Sequence, residues 1–317
     1  MSTDPDIFIT LVVPVYNEQE NIEHLVQVCL EVLKAHQWTH EIILVDDGSK
    51  DKSRAIIKSL SASHAQVKGL VFSRNFGHQA ALHAGMVASK GVYVVTMDGD
   101  MQHPPSLIPT LVGQAEKGFQ VVNTRRLEQE SLPWSKKMTS RWYYRLLNFL
   151  SDVHIEPASA DFRLMHRQVV DAYLSLPERH RFNRGLVAWL GFTQTFVDFQ
   201  PAERYAGTTK FSFLRMLGLG LDGVTSFSVK PLRLAFYLGS AVSVLALAYS
   251  LYAVVIFLLG KAIAGWTSLL VSMLFLGGVT LMCLGVIGEY VARIYDEVRG
   301  RPIYIVQETI TQNQDGN

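Results

Sequence analysis

The 317-residue sequence predicts an α/β domain with a mostly parallel, doubly wound (Rossmann-like) sheet, followed by two transmembrane helices. Three observations carry that expectation. Short apolar runs rich in Val and Ile recur through the first part of the chain, and amphipathic segments separate them. Farther on, two uncharged runs of 27 residues each, 234–260 and 262–288, flank a lone Lys261. Strands alternating with amphipathic helices build a sheet wound on both faces.

The apolar runs are ITLVVPV from Ile9, EIILVDD from Glu41, VKGLVFS from Val67, GVYVVTMD from Gly91 and FQVVNTR from Phe119. Between them, NIEHLVQVCLEVLKAH (21–36) places apolar residues at helical spacing, and KSRAIIKSL and HQAALHAGMVASK continue the alternation. After the first strand the chain reads PVYNEQEN instead of a GxGxxG turn, which counts against a nicotinamide or flavin enzyme.

A bilayer core of about 30 Å needs roughly 20 helical residues, so each long run is sufficient to span it. Buried helices of globular proteins rarely run so far without a charge. Arg215, Lys230 and Arg233 precede the first span, and Arg293, Arg299 and Arg301 follow the second. The positive-inside rule then puts both termini and the N-terminal domain of this multi-pass membrane protein in the cytoplasm. The N-terminus, MSTDPDIF, shows no apolar signal segment. Cys29 falls in the soluble part and Cys283 in the second span, which makes a disulfide unexpected. Basic and acidic residues number 29 and 28, so no global basic signature points to nucleic acid.

In such a sheet, ligands bind outside the carboxyl ends of the strands. Those ends carry Tyr16, Asn17 and Glu18; Asp46, Asp47, Gly48 and Ser49; Ser73, Arg74 and Asn75; Asp98, Gly99 and Asp100; and Thr124, Arg125 and Arg126. Any one cluster is explained by a turn or a helix cap. Five at one sheet edge describe a site for a polar ligand. Residues i and i+2 of a strand point the same way, and the glycine in Asp98-Gly99-Asp100 lets both carboxylates converge. Two such oxyanions favour a hard divalent cation, which completes its shell with phosphate oxygens and water. As a bare pattern DxD is weak; its place after an apolar strand gives it weight.

The ordered set VVPVYNEQENI, ILVDDGSKD, SRNFGHQAALHAGM, MDGDMQHPP and SADFRLM resembles family 2 glycosyltransferases of the GT-A fold. More narrowly, the chain is similar to polyprenyl-phosphate glycosyltransferases. These include the dolichyl-phosphate mannose synthases and the two-span bacterial bactoprenol glucosyltransferases, with the ending GEYVARIYDEVRGRPIYIV characteristic of the latter. The resemblance implies inverting transfer of a hexose from a nucleotide sugar, UDP-glucose in the two-span subgroup, to undecaprenyl phosphate, giving a β-linked product. It implies Mg²⁺ or Mn²⁺ as cofactor, held by Asp98 and Asp100, with Asp100 the more direct ligand. Pro14, Tyr16, Asn17, Glu18 and Asp46 match positions around the nucleobase and ribose, and Gln102 lies beside the diphosphate. Asp161 matches a carboxylate often assigned as catalytic base. Arg125 or Arg126, with Arg141, matches arginines that receive the lipid phosphate, while Arg204 and Lys210 match a basic loop closing over the site.

The residues themselves agree, with one reservation. Six basic residues between 125 and 145 (Arg125, Arg126, Lys136, Lys137, Arg141, Arg145) face only Glu128 and Glu130, and Trp142, Leu146 and Phe149 share a helical face beside them. A basic, aromatic-bearing helix near two spans suits an anionic lipid headgroup, and 211–229 is apolar enough for the membrane interface. The reservation concerns Asp161: a phosphate monoester with its second pKa near 6 is already nucleophilic at neutral pH and needs no base. Asp161 would then orient a group or position Arg163.

Expected domains are 1–210 (catalytic), 211–230 (interfacial), 231–293 (transmembrane hairpin) and 294–317 (cytoplasmic strand and tail). RPIYIVQETI alternates enough to be a short exposed strand, open to pairing with a neighbouring subunit in a homo-oligomer. A separate flippase is expected, since the single hairpin carries no intramembrane charge before Glu289. A processive polysaccharide synthase would carry Q-x-x-R-W, which RFNRGLVAW lacks. An idle membrane-anchored scaffold on the same fold would have lost some of Asp98, Asp100, Asp161 and Arg141.

Overall fold

The computed structural model describes residues 7–127, 156, 159–179, 181–200, 228–259 and 265–312. They fall into two compact units, one holding the sheet and the shorter helices, the other two long apolar helices.

In the first unit, all five expected strands form: β1 (Ile9–Val15), β2 (His40–Asp46), β3 (Val67–Phe72), β4 (Tyr93–Thr96) and β5 (Val121–Arg126). The expected helices follow as α1 (Ile22–Ala35), α2 (Ser53–Ser63) and α3 (His78–Ala88). Three further strands, β6 (Ser159–His166), β7 (Gln194–Phe199) and β8 (Val306–Ile310), complete an eight-stranded sheet of order β7-β5-β6-β4-β1-β2-β3-β8. Helices α4 (Ile108–Ala115), α5 (Arg167–Ser175) and α6 (Asn183–Trp189) lie between them in the chain.

β1 pairs in parallel with both β2 and β4, and every residue of it is buried, as a central strand covered on both faces requires. On one face, α1 contributes Ile22, Leu25, Val26, Cys29 and Leu33, one stripe at helical spacing, to a core with Leu11 and Val13. On the other, Ala80, Ala81 and Ala84 of α3 pack against Ile43, Val45 and Phe72. β6 runs antiparallel between β4 and β5, so the sheet is mixed although mostly parallel.

The strand expected near the C-terminus forms, and on one side it has a partner within its own chain. β8 pairs antiparallel with β3 of the same chain. Ile310 enters the core with Ile57, and Glu308 forms ion pairs with Arg54 and Lys58 of α2. Apolar burial and matched charge together hold the strand on its own sheet edge.

The second unit contains α7 (Lys230–Leu258) and α8 (Trp266–Arg299). Both are long and apolar enough to cross a membrane, with mean hydropathies of 1.8 and 2.1 over 230–252 and 271–299. Within this unit the Tyr290 hydroxyl donates to the Ser228 carbonyl at 2.7 Å. The expected interfacial stretch up to residue 227, and Arg141, Arg204 and Lys210, lie outside the described residues.

Candidate functional site

The carboxyl ends of β1, β2 and β4, with the start of α3, converge on one edge of the sheet. The first two ends are interlocked. Asn17, in left-handed backbone at φ 55°, donates its amide to Ser49 Oγ (3.0 Å) and accepts from the Lys50 amide through Oδ1 (2.8 Å). The amide of Glu18 donates to Ser53 Oγ (3.1 Å). An uncommon backbone conformation held by several bonds from a neighbouring loop is a feature of ligand sites. Tyr16 stands 36% exposed beside this loop pair.

Asp46 and Asp47 divide the end of β2 between two tasks. Asp46, 1% exposed, accepts from the Ser49 amide through Oδ1, while its buried Oδ2 has no hydrogen bond among the described residues. Asp47 reaches across to the next loop and accepts from the amides of Phe76 (2.6 Å) and Gly77 (2.9 Å). Burial pushes its carboxyl up, and those two donors draw it back. Gly48, at φ 69°, leaves room for that loop: a Cβ there would lie 2.5 Å from the backbone carbon of Arg74.

The loop so clamped ends at His78, the first residue of α3. His78 Nε2 sits between two carboxylates, 3.3 Å from Asp98 Oδ1 and 3.8 Å from Asp161 Oδ2. Asp98 follows β4; its amide donates to Nδ1 of the fully buried His103 (3.0 Å). An acceptor Nδ1 puts the His103 proton on Nε2, which lies 3.6 Å from Asp98 Oδ2. Burial pushes the His103 imidazole down, against the pull of Asp98, and the ring stacks on Phe162. With Nε2 carrying the proton, Arg126 Nη2 at 3.3 Å is a contact rather than a donor to it.

Asp100 accepts from the Gln102 amide (3.2 Å), across Met101 in left-handed backbone at φ 62°. Gly99 passes against β1, where a Cβ would lie 3.2 Å from the Pro14 carbonyl oxygen. This close passage brings the Asp98-Gly99-Asp100 turn to the Pro14–Glu18 end of β1.

Asp161 lies on β6, which lines up antiparallel beside β4. Arg184 of α6 grips it through Nε to Oδ1 and Nη2 to Oδ2, both at 3.0 Å, and buried Arg163 adds a contact at 3.3 Å. Burial alone would raise this carboxyl, but Arg184, Arg163 and His78 hold it well below the usual carboxylate range. It is therefore a fixed anion at any ordinary pH.

Arg125 and Arg126, adjacent on β5, point to opposite sides of the sheet as strand pleating dictates. Arg125 is bound bidentately to Asp198 of β7 (2.7 and 3.1 Å) and to Glu156 (3.2 Å). Arg126 turns instead toward His103 and the Asp98 loop.

The candidates Pro14, Tyr16, Asn17, Glu18, Asp46, Asp98, Asp100, Gln102, Asp161 and Arg126 thus share one edge, with Arg125 facing away. Asp47, part of a strand-end cluster in the sequence, belongs there too, as do three polar residues not singled out: His78, His103 and Arg184. His103 had a signal, its place five residues after Asp98 in MDGDMQHPP. Arg184 had none, because the contact spans 23 positions and depends on β6 meeting α6.

For a divalent cation the donor set is chemically suitable. Asp98 and Asp100 offer hard oxygens on one turn, and the buried Asp98 Oδ1 has His78 Nε2 beside it at 3.3 Å but no well-aligned hydrogen bond among the described residues. No cluster of three or more such ligands occurs among those residues, so a cation here would draw its remaining ligands from phosphate oxygens and water.

Comparison with known proteins matches residues 10–174 to the family described as "Glycosyl transferase family 2" and residues 230–294 to "GtrB C-terminal hairpin". An uncharacterized glycosyltransferase, sll0501, of Synechocystis sp. is 43% identical over 303 residues, 95% of each chain. The bactoprenol glucosyl transferase of Shigella phage SfII is 40% identical over 302 residues, covering 95% of this chain and 98% of its own. A prophage bactoprenol glucosyl transferase homolog of Escherichia coli K12 is 39% identical over 94% of this chain and 98% of its own.

Proposed function

The chain belongs to glycosyl transferase family 2, and on that premise we propose that it transfers glucose from UDP-glucose to undecaprenyl phosphate at the cytoplasmic face of the membrane. The observation that carries the reading furthest is the 40% identity, over nearly the full length of both chains, with a bactoprenol glucosyl transferase. The site supports it independently. Carboxylates at the ends of β2 and β4 flank a polar edge, as a nucleotide sugar requires, and two helices of membrane-crossing length supply an anchor.

In the proposed reaction an oxygen of the lipid phosphate attacks the anomeric carbon in line. The bond from that carbon to the diphosphate breaks, and its electron pair leaves with UDP. One displacement inverts the anomeric centre, so an α-linked donor gives a β-linked lipid-phosphate sugar. Asp98 and Asp100 would hold Mg²⁺ or Mn²⁺, which supplies positive charge for the leaving diphosphate. The nucleophile is a dianion at neutral pH and needs no proton removed. That leaves Asp161 a different task, and its pairing suits it. Gripped by Arg184 and Arg163, it fixes the direction of both guanidiniums and holds its charge 3.8 Å from His78. Arg126 supplies a cation beside the Asp98 turn, where charge stabilisation favours the transition state.

The donor is tested by incubating the purified full-length protein with a panel of labelled UDP- and GDP-sugars, Mn²⁺ and one polyprenyl phosphate. The reading expects UDP-glucose to label the lipid fastest. GDP-mannose or a modified UDP-sugar in that place would replace the donor and leave the reaction class standing.

A further inference from the structure

α8 ends at Gly300, whose left-handed backbone (φ 70°, ψ 17°) turns the chain out of the helix. Four residues later, the Tyr304 ring lies flat on Phe72, with centroids 5.0 Å apart and planes at 11°. Phe72 in turn meets Phe76 edge-on, at 5.7 Å and 90°. The Ser73 amide donates to the Ile305 carbonyl at 3.0 Å. Ile303 and Tyr304 also pack on the core that contains Ala80, Ala81 and Ala84 of α3. The segment thus touches the loop between β3 and α3 at its start, reaches Phe76 through the Phe72 ring, and lies against the helix beyond at His83. That loop ends in His78, between Asp98 and Asp161, and its last two amides are the ones clamped by Asp47.

We propose that Tyr304 is a positioning residue for the glycosyl-transfer site: it braces the 73–77 loop from behind, so that His78 and the Asp47 clamp stand at their places before substrate arrives. The segment that follows the second apolar helix is thereby part of the scaffold of the active site. Closing the sheet edge is a separate task, performed by other atoms. β8 itself spans 306–310, and its charged anchor is Glu308 with Arg54 and Lys58, on α2. Two parts of one segment therefore have different neighbours, and substitutions can separate them. The inference rests on the glycosyltransferase reading only for its kinetic consequence, since the geometry of the loop is readable without substrate.

The test uses the full-length protein in lipid nanodiscs, with the variants Tyr304→Ala, Tyr304→Leu, Tyr304→Phe and Glu308→Ala. Amide hydrogen exchange is followed at residues 73–78 and at 306–310, beside the KM and kcat for UDP-glucose. Loss of the ring should speed exchange at Phe76 and Gly77 by about tenfold or more, a local opening well short of global unfolding. It should raise the donor KM several-fold, and Tyr304→Phe should behave as the wild type. Glu308→Ala should speed exchange at 306–310 and leave Phe76 and Gly77 as they were. Should Tyr304→Ala fail to fold, Tyr304→Leu keeps apolar bulk without the flat ring and carries the same expectation. Unchanged exchange at Phe76 and Gly77 in the Tyr304 variants overturns the proposal, as does equal acceleration by Glu308→Ala. If the wild type transfers no sugar from UDP-glucose, the donor assignment falls, while the exchange result still decides the role of Tyr304.

Discussion

Arg184 holds Asp161 by both carboxylate oxygens, Nε and Nη2 each 3.0 Å from a different one, and Arg163 closes on the same group from β6. The ordinary reading of a buried carboxylate in a transferase site is a proton acceptor. Paired this way, its folded pKa lies below its unfolded one, so its contribution to stability is present above about pH 4 and lost only as pH falls through the folded value. Asp161→Asn should lower kcat/KM by about 10²-fold through misdirected guanidiniums. It should also destabilise the domain by about 3 kcal/mol by stranding buried Arg163. The acidic limb of the pH–rate profile should stay where it is. A limb that disappears in Asp161→Asn would restore the base role.

His83 gives the fold a pH dependence of known sign. Burial, and then the charge of Arg181, push its imidazole from an ordinary 6.5 down to about 4. The unfolded chain therefore takes up this proton first. Stability from His83 is complete above pH 6.5 and falls as pH drops toward the folded value. The melting temperature of the wild type should drop more between pH 7 and pH 5 than that of His83→Gln, a difference thermal unfolding at the two pH values will read.

Gly48→Ala combines two faults. The position has φ 69°, and the added methyl would meet backbone atoms of Arg74 and Asn75 at 2.5 and 2.7 Å. Backbone cannot rotate aside as a side-chain tip does, so the 73–77 loop must shift away from Asp47. A stability loss of about 1–3 kcal/mol is expected, with weaker nucleotide binding, measured by thermal unfolding and by UDP titration in Mn²⁺.

The two arginines ending β5 should differ in effect. Arg126→Ala removes a cation from beside His103 and the Asp98 turn, and should cost at least about tenfold in kcat/KM. Arg125→Ala breaks an ion pair with Asp198 that is largely exposed, and should leave activity within about threefold. Side-by-side kinetics of the two variants decides it.

The first five strands and three helices were legible in the sequence because each buries one regular apolar pattern, as in the uninterrupted run of β1. β6 was not legible as a strand, although SADFRLM was conspicuous as a motif. Ala160, Phe162 and Leu164 alternate with Asp161 and Arg163, and the face bearing those charges is buried too, tolerated through their mutual pairing and Arg184. β8 was expected as a strand and its alternation is real, but alternation cannot say which edge a strand will join. Residues Ile57, Arg54 and Lys58, some 250 positions away, settle that. The acidic strand ends were visible as clusters, whereas the division of labour between Asp46 and Asp47, and between Arg125 and Arg126, needed the direction of each side chain.

The claim that joins these observations is that the carboxylate edge and the apolar hairpin serve one reaction, transfer of a sugar to a lipid phosphate. Its most direct measurement is the partition of radiolabel after incubating the purified protein with labelled UDP-glucose, Mn²⁺ and undecaprenyl phosphate, beside Asp100→Ala. The account predicts metal-dependent label in the lipid fraction of the wild type and none above background in Asp100→Ala. Label that stays in the aqueous fraction with the wild type, for every nucleotide sugar tried, would contradict it.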